Sequence, residues 1–231
     1  MERRRRLFIV IVLALMPLAG AVYESFQQNS GIQQVTQNDE DSSRLASDVL
    51  NELQVKGRAP KTGYARSEFG NGWVELNGCD TRNRILNRDL TEKVVNNDGC
   101  KVLSGILDDP YTKKVISFTR GEQSSQEVQI DHVVALSDSW QKGAQYLEEP
   151  VRIKIANDPL NLSAVDGEAN QEKGDSDAAS WLPPNKDYRC RYVARQIAVK
   201  AKYNLWVTKA ESDSMKRILT TCPDQRLPIE K

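Results

Sequence analysis

The chain of 231 residues contains a single histidine, His132, so chemistry that needs an imidazole has one place to happen. It stands in Val128-Gln129-Ile130-Asp131-His132-Val133-Val134-Ala135-Leu136, directly after a carboxylate. Histidine titrates near neutrality and can take a proton from a water, while a neighbouring carboxylate can bind a cation or orient the ring. Together they could be a base beside a metal ligand. Alone, an Asp-His dipeptide is more often a hydrogen-bonded pair at a strand end, because short motifs carry little information. Further polar candidates follow downstream at Asn161, Asn170 and Lys173.

The surrounding pattern says what must hold these residues. Val128 and Ile130 are apolar with Gln129 between them, so the Asp-His pair is expected to end a half-buried strand. Asp158-Pro159 makes a turn before a short apolar strand with Asn161 and Val165, Asp166-Gly167 a second turn, and Glu168 to Lys173 the start of a helix. The expected order is strand, strand, helix, with the polar candidates at the junctions. Upstream, Lys101 to Leu107 and Val115 to Phe118 read as a hairpin joined by Asp108-Asp109-Pro110-Tyr111-Thr112, and Arg120 then leads towards His132. Arg82, Arg84 and Arg88 could contact phosphates. They could equally pair with Asp80, Asp89 and Glu92 on a solvated surface, which composition favours.

Arg3 to Arg6, the apolar run Leu7 to Leu18 and Ala19-Gly20-Ala21 form an export signal, 1–21, with cleavage expected after Ala21. An uncleaved membrane anchor is the alternative, although Pro17 interrupts the run and a span needs about 20 apolar residues. Residues 22–40 are rich in Gln, Asn and Ser and read as a disordered linker. Residues 41–57 carry Leu45, Val49, Leu50 and Leu53 at helical spacing, and residues 58–226 form the main domain. Loss of residues 1–21 leaves 28 basic against 31 acidic residues, a net charge of minus three. That argues against a bulk electrostatic nucleic-acid binder but not against a small positive cleft. The four cysteines form two sequence-local pairs, Cys79 with Cys100 and Cys190 with Cys222, as expected of an exported protein. A zinc site competes weakly, because no C-x-x-C spacing occurs. Near the C-terminus, Tyr188 to Tyr203 and a capping box at Thr208 and Glu211 mark two helices that a Cys190–Cys222 bridge would clamp.

A strand-strand-helix unit carrying Asp-His, then Asn, then Asn-x-x-Lys resembles the ββα-metal, or HNH, nucleases. Gly63-Tyr64-x-Arg66, Phe69-Gly70, Asn77-Gly78-Cys79-Asp80-Thr81-Arg82-Asn83, Asp109-Pro110-Tyr111-Thr112, Asn157-Asp158-Pro159-Leu160-Asn161-Leu162, Asn170-x-x-Lys173-Gly174 and Trp181-Leu182-Pro183 extend the likeness. Over roughly residues 60 to 222 the chain is similar to secreted HNH-type proteins related to the C-terminal nuclease domain of the GmrSD restriction enzymes. The resemblance implies an α+β fold: an HNH finger between an N-terminal β-rich part and a C-terminal two-helix clamp. It gives His132 the role of general base, Asp131 and Asn170 that of ligands to one Mg2+ or Mn2+ ion, and Lys173 that of neutralising transition-state charge. Asn161 would fix the strand geometry. Apart from the resemblance, Arg82 in its arginine run and Arg120 on the approach to His132 are the residues expected to contact substrate. The implied activity is a secreted, metal-dependent endonuclease of low sequence specificity acting on nucleic acid, DNA ahead of RNA, with no membrane span after signal cleavage. The competing reading is a non-catalytic secreted or surface protein that keeps the fold and binds nucleic acid or another macromolecule. Intact-mass analysis of exported protein should show loss of residues 1–21 and of four thiol protons; an intact N-terminus or free thiols would contradict the export reading.

Overall fold

The computed structural model describes residues 44–121 and 124–228. The expected signal 1–21, the linker 22–40 and residues 41–43 of the expected helix lie outside them. The first element, α1 (Ala46–Glu52), is shorter than the expected 41–57, and Leu53 is already extended with φ −63° and ψ 136°. The chain leaves the helix because its flanks are drawn into β-bridges, Leu45 to Arg226 and Val55 to Val207. Ala46, Val49 and Leu50 bury the apolar stripe in a core shared with Val193, Ile197 and Met215 near the C-terminus. The described residues belong to one compact unit that begins at Arg44.

The architecture is α+β. After the short ladder β1 (Glu75–Leu76) and β2 (Cys79–Asp80), Asp80 caps α2 (Thr81–Asp89) by accepting the Asn83 N–H at 2.7 Å. Strands β3 (Thr91–Val95), β4 (Val102–Asp108) and β5 (Val115–Thr119) form an antiparallel sheet in that order. The hairpin β4–β5 matches the periodicity reading. β3 was not foreseen, because four of its five residues are exposed and an edge strand carrying Glu92 and Lys93 shows no alternation.

A short turn of helix, α3 (Ser124–Glu127), leads into β6 (Val128–His132). Between β6 and its partner β7 (Leu162–Asp166) the chain makes α4 (Leu136–Gln141) and α5 (Glu149–Asn157). α5 buries only Ile155 and Ala156, which is why no apolar stripe announced it, although Pro150 marks its start. α6 (Gly167–Lys173) follows β7 directly, capped by Asp166. Gly167 is required there, since a Cβ would lie 1.8 Å from the Gln126 carbonyl oxygen. Then come α7 (Arg189–Lys202) and α8 (Lys209–Leu219), the latter with the expected Thr208–Glu211 capping box.

The disulfides join Cys79 to Cys100 and Cys190 to Cys222. The first ties the start of α2 to the turn after β3, and the second the start of α7 to the chain just beyond α8. Each closes a loop of a few tens of residues, worth roughly 3 to 4 kcal/mol in the chain-entropy account.

Two apolar clusters lie on either side of the β6–β7 pair. Val128, Ile130, Leu162 and Ala164 pack with Ile85 and Leu86 of α2 and with Val102, Leu107 and Phe118 of the sheet. Val133, Val134 and Val165 join the larger cluster built on α1, α4, α7 and α8. Within that larger core the helices also share a buried ionic network. Lys142 Nζ lies 2.7 Å from Asp138, 2.8 Å from Asp177 and 2.6 Å from Glu211, and Lys200 Nζ lies 3.0 Å from Glu211 and 3.3 Å from Asp138. Both lysines have no exposed side-chain surface. Arg58 completes the charge balance at 3.1 Å from Asp138 and 2.7 Å from Asp177. Burial alone would raise the Asp177 pKa, but the Lys142 ammonium overcomes it and holds the carboxyl down at about 2. Removing Lys142 leaves three carboxylates without their shared partner. Lys142→Met should therefore lower the unfolding free energy by about 3 to 5 kcal/mol in urea titrations; a loss below about 1 kcal/mol would mean that the network is not paired as described.

Candidate active site

β6 and β7 run antiparallel in unbroken register, with Val128 opposite Asp166 and His132 opposite Leu162. Because strand side chains alternate, Gln129 and Asp131 leave one face and Ile130 and His132 the other. The two adjacent residues of the motif therefore look into different surroundings.

On the Asp131 face, α6 lies alongside the strand. Asn170 Nδ2 donates to Gln129 Oε1 at 2.8 Å, and one turn later Lys173 Nζ donates to Asp131 Oδ1 and to the His132 carbonyl, both at 2.9 Å. The Tyr111 hydroxyl donates to Asp131 Oδ2 at 2.5 Å. Tyr111 is placed by the turn it belongs to: Asp109 accepts the Thr112 N–H and hydroxyl, and its other oxygen accepts the Asp166 N–H at 2.9 Å, pinning the turn to the end of β7. Burial, followed by the Asp131 charge, raises the Tyr111 pKa well above its ordinary value, so the phenol stays protonated and keeps donating.

On the other face, His132 is 7% exposed, and its Nε2–H donates to the Ala156 carbonyl at 2.9 Å. A carbonyl can only accept, so the proton sits on Nε2 and the Nδ1 lone pair is the one available for chemistry. Asn161, with no exposed surface, holds this arrangement from behind. Its side chain bonds the Val134 N–H and carbonyl and the Ile155 carbonyl, so the end of α5 presents Ala156 to the ring. Asn161 lies in a 3-10 turn just before β7 rather than in the strand. The Trp73 ring lies parallel to the imidazole, 11° apart in plane and 5.8 Å between centroids. Gly70, at φ 91°, turns the chain between Phe69 and Trp73 past Ile153, where a Cβ would meet Ile153 Cγ1 at 3.2 Å.

His132, Trp73, Arg66, Phe69, Gly70 and Gly72 line a cavity of about 180 Å³. That is room for a phosphodiester group with a few waters, at about 30 Å³ per water. Arg66 is exposed and has no carboxylate partner among the described residues, which leaves its guanidinium for an anion. The signal for it was present in Gly63-Tyr64-x-Arg66, but nothing local tied that loop to His132.

The arginines expected to meet substrate are placed elsewhere. Arg120 donates to the Val102 carbonyl at 2.7 Å and to Asn83 Oδ1, and Arg82 lies 3.4 Å from the Val128 carbonyl. Burial, with the neighbouring Arg120 charge added, lowers the Arg82 pKa. These two side chains brace α2 against the sheet. Lys173, expected to neutralise transition-state charge, has no exposed side-chain surface and pairs with Asp131 at 2.9 Å.

The donors for a hard divalent cation are of the right chemistry, oxygen atoms only. Asp131 keeps two of its roughly four lone-pair sites after Tyr111 and Lys173 are served. The Asn170 amide, oriented through Nδ2, has Oδ1 remaining. The cost is the Lys173 ammonium, which already balances Asp131. Among the described residues no group of three or more His, Cys, Asp and Glu side chains forms a metal cluster.

Burial lowers the His132 pKa to about 4, with the Ala156 bond and the Asp131 charge only partly opposing it. The folded ring is neutral where the unfolded one, near 6.5, still holds a proton. Stability should therefore rise with pH between about 4 and 6.5, be complete above that window and lose about 3 kcal/mol below it. Urea titrations near pH 7 and near pH 4 measure this, and His132→Gln should flatten the dependence; an unchanged slope would place the titration elsewhere.

Among the described residues no helix is long and apolar enough to cross a membrane. Residues 80–218 match the family "GmrSD restriction endonucleases, C-terminal domain". A protein of Arthroderma benhamiae named "Uncharacterized secreted protein" is 37% identical over 184 residues, covering 78% of this chain and 86% of that one. No solved structure matches the chain. The matched segment runs from the cap of α2 into α8 and contains the whole β6–β7–α6 unit, and the chain belongs to the family of the GmrSD restriction endonuclease C-terminal domain.

Proposed function

We propose that the protein is an exported, metal-dependent endonuclease that hydrolyses phosphodiester bonds with little sequence specificity. The observation that carries this reading is the neutral His132, its proton committed to Ala156, lining a phosphate-sized cavity beside Arg66. Export rests on the N-terminal signal pattern, on the two disulfides and on the secreted relative. The family description makes DNA the first substrate to assay, ahead of RNA.

In this mechanism His132 Nδ1 takes a proton from the attacking water. The Ala156 carbonyl accepts Nε2–H throughout and steadies the imidazolium as it forms. Arg66 holds the phosphate oxygens, and Trp73 covers the ring and keeps bulk water from it. Asp131 and Asn170, on the face of β6 opposite the ring, would hold Mg2+ or Mn2+, and the chemistry such an ion would supply is neutralisation of phosphate charge. Lys173 sets the balance of that site. Because Asp131 and Lys173 together are neutral, the charge of the ion must be matched by substrate phosphate, and metal binding should be weak until substrate arrives.

The residues should fail in different ways. His132→Ala should lose on the order of a hundred-fold or more in rate, the usual size of an acid-base contribution, and stay impaired at high Mg2+. Asn170→Ala should partly recover as Mg2+ rises. EDTA should abolish wild-type activity, with Mg2+ or Mn2+ restoring it, and the acidic limb of the rate should lie near pH 4. Metal rescue of His132→Ala, or full activity in chelator, would remove these roles.

A further inference from the structure

A second cavity, of about 400 Å³, opens between the start of β7, α7 and the C-terminal segment, and shares no lining residue with the His132 cavity. Arg88, Arg191 and Arg195 line it together with Arg226, and among the described lining residues Asp89 is the one carboxylate. Asp89 is engaged by Arg88 and leaves Arg191 and Arg195 without a carboxylate among the described residues. Its oxygens accept Arg88 at 2.6 and 2.8 Å, and Oδ2 also accepts the Ala164 N–H. Arg195 donates to the carbonyls of Leu160, Pro159 and Leu162, contacts that fix the guanidinium without neutralising it. Arg191, one helical turn earlier, lies 5.4 Å from the centre of the Tyr188 ring and has no carboxylate partner among the described residues.

Fixed guanidinium groups facing one concavity suit an anion of more than one charge, and their planar fork matches phosphate oxygens. The volume exceeds what a bare phosphate fills and falls in the range of small-ligand sites. Tyr188 and Leu160 add an apolar wall for the rest of the ligand. We infer that this cavity binds the phosphate of a nucleotide, either free or at the end of a strand. The site goes beyond the hydrolytic reading and holds whether or not His132 acts as a base. Its place is suggestive, because Arg88 and Arg195 both donate to the carbonyl of Leu162, the residue paired with His132.

The test is calorimetric titration of the full exported chain in EDTA, where no hydrolysis is expected, with inorganic phosphate, AMP and a short single strand with or without a 5′-phosphate. AMP should bind saturably, and Arg191→Glu should weaken it by roughly tenfold or more, the value of a lost charge-assisted contact. Arg191→Lys should bind better than Arg191→Glu. Arg217→Glu, the same change of charge at an exposed position of α8, should leave binding within about twofold. A strand that binds only when 5′-phosphorylated assigns the site to strand ends, and binding confined to AMP assigns it to free nucleotide. Absence of phosphate and AMP binding, or equal losses in Arg191→Glu and Arg217→Glu, would overturn the site. Failure of hydrolysis with AMP binding intact would count against the nuclease mechanism and leave this inference standing.

Discussion

The ion pair between Asp131 and Lys173 constrains everything around it, because both charges have left water. A buried pair repays its desolvation only if its geometry is good and its remaining valences are met. Here the Tyr111 hydroxyl and the His132 carbonyl meet them, so a strand, a helix and a distant turn must all stand in register at once. Asp109 secures the turn by bonding the backbone at the end of β7, and the cap from Asp166 starts the helix in the right phase. The Asp-His step then has no freedom left: with Asp131 held on the α6 face, strand alternation sends His132 to the other.

That division keeps the buried ion pair apart from the imidazole. The imidazole is neutral because it is buried, not because a carboxylate is missing, and the Ala156 carbonyl decides which nitrogen carries the proton. Ala156 is in place because Asn161 ties the end of α5 to the loop that follows His132. Asn161, the middle asparagine of the motif, bonds only backbone groups among the described residues. Around this unit the Cys190–Cys222 disulfide and the buried lysine network hold the helical side together without drawing on the site's own residues.

Much of this was legible in the chain. The alternation before His132, the strand end at Asp166-Gly167, the hairpin around Asp109-Pro110-Tyr111-Thr112, the Thr208–Glu211 capping box and both cysteine pairs are local signals, set by side-chain period and turn chemistry. α5 and β3 were not legible, because each buries too little apolar surface to leave a period. The length of α1 departs from the expectation for a related reason: its flanking residues are extended by isolated bridges to residues over 150 positions away, which no local propensity reports.

Residue types, their order and their proximity along the chain are properties of the sequence, and they determined the single imidazole, the strand-strand-helix unit and the family resemblance. Which charge meets which is decided only in three dimensions. Lys173 rather than Asn170 reaches Asp131, Arg66 rather than Arg82 or Arg120 stands beside His132, and Trp73 covers the ring. Electrostatic partners are chosen by distances across elements far apart in the chain, and desolvation by everything that packs around a group; neither is encoded in local spacing.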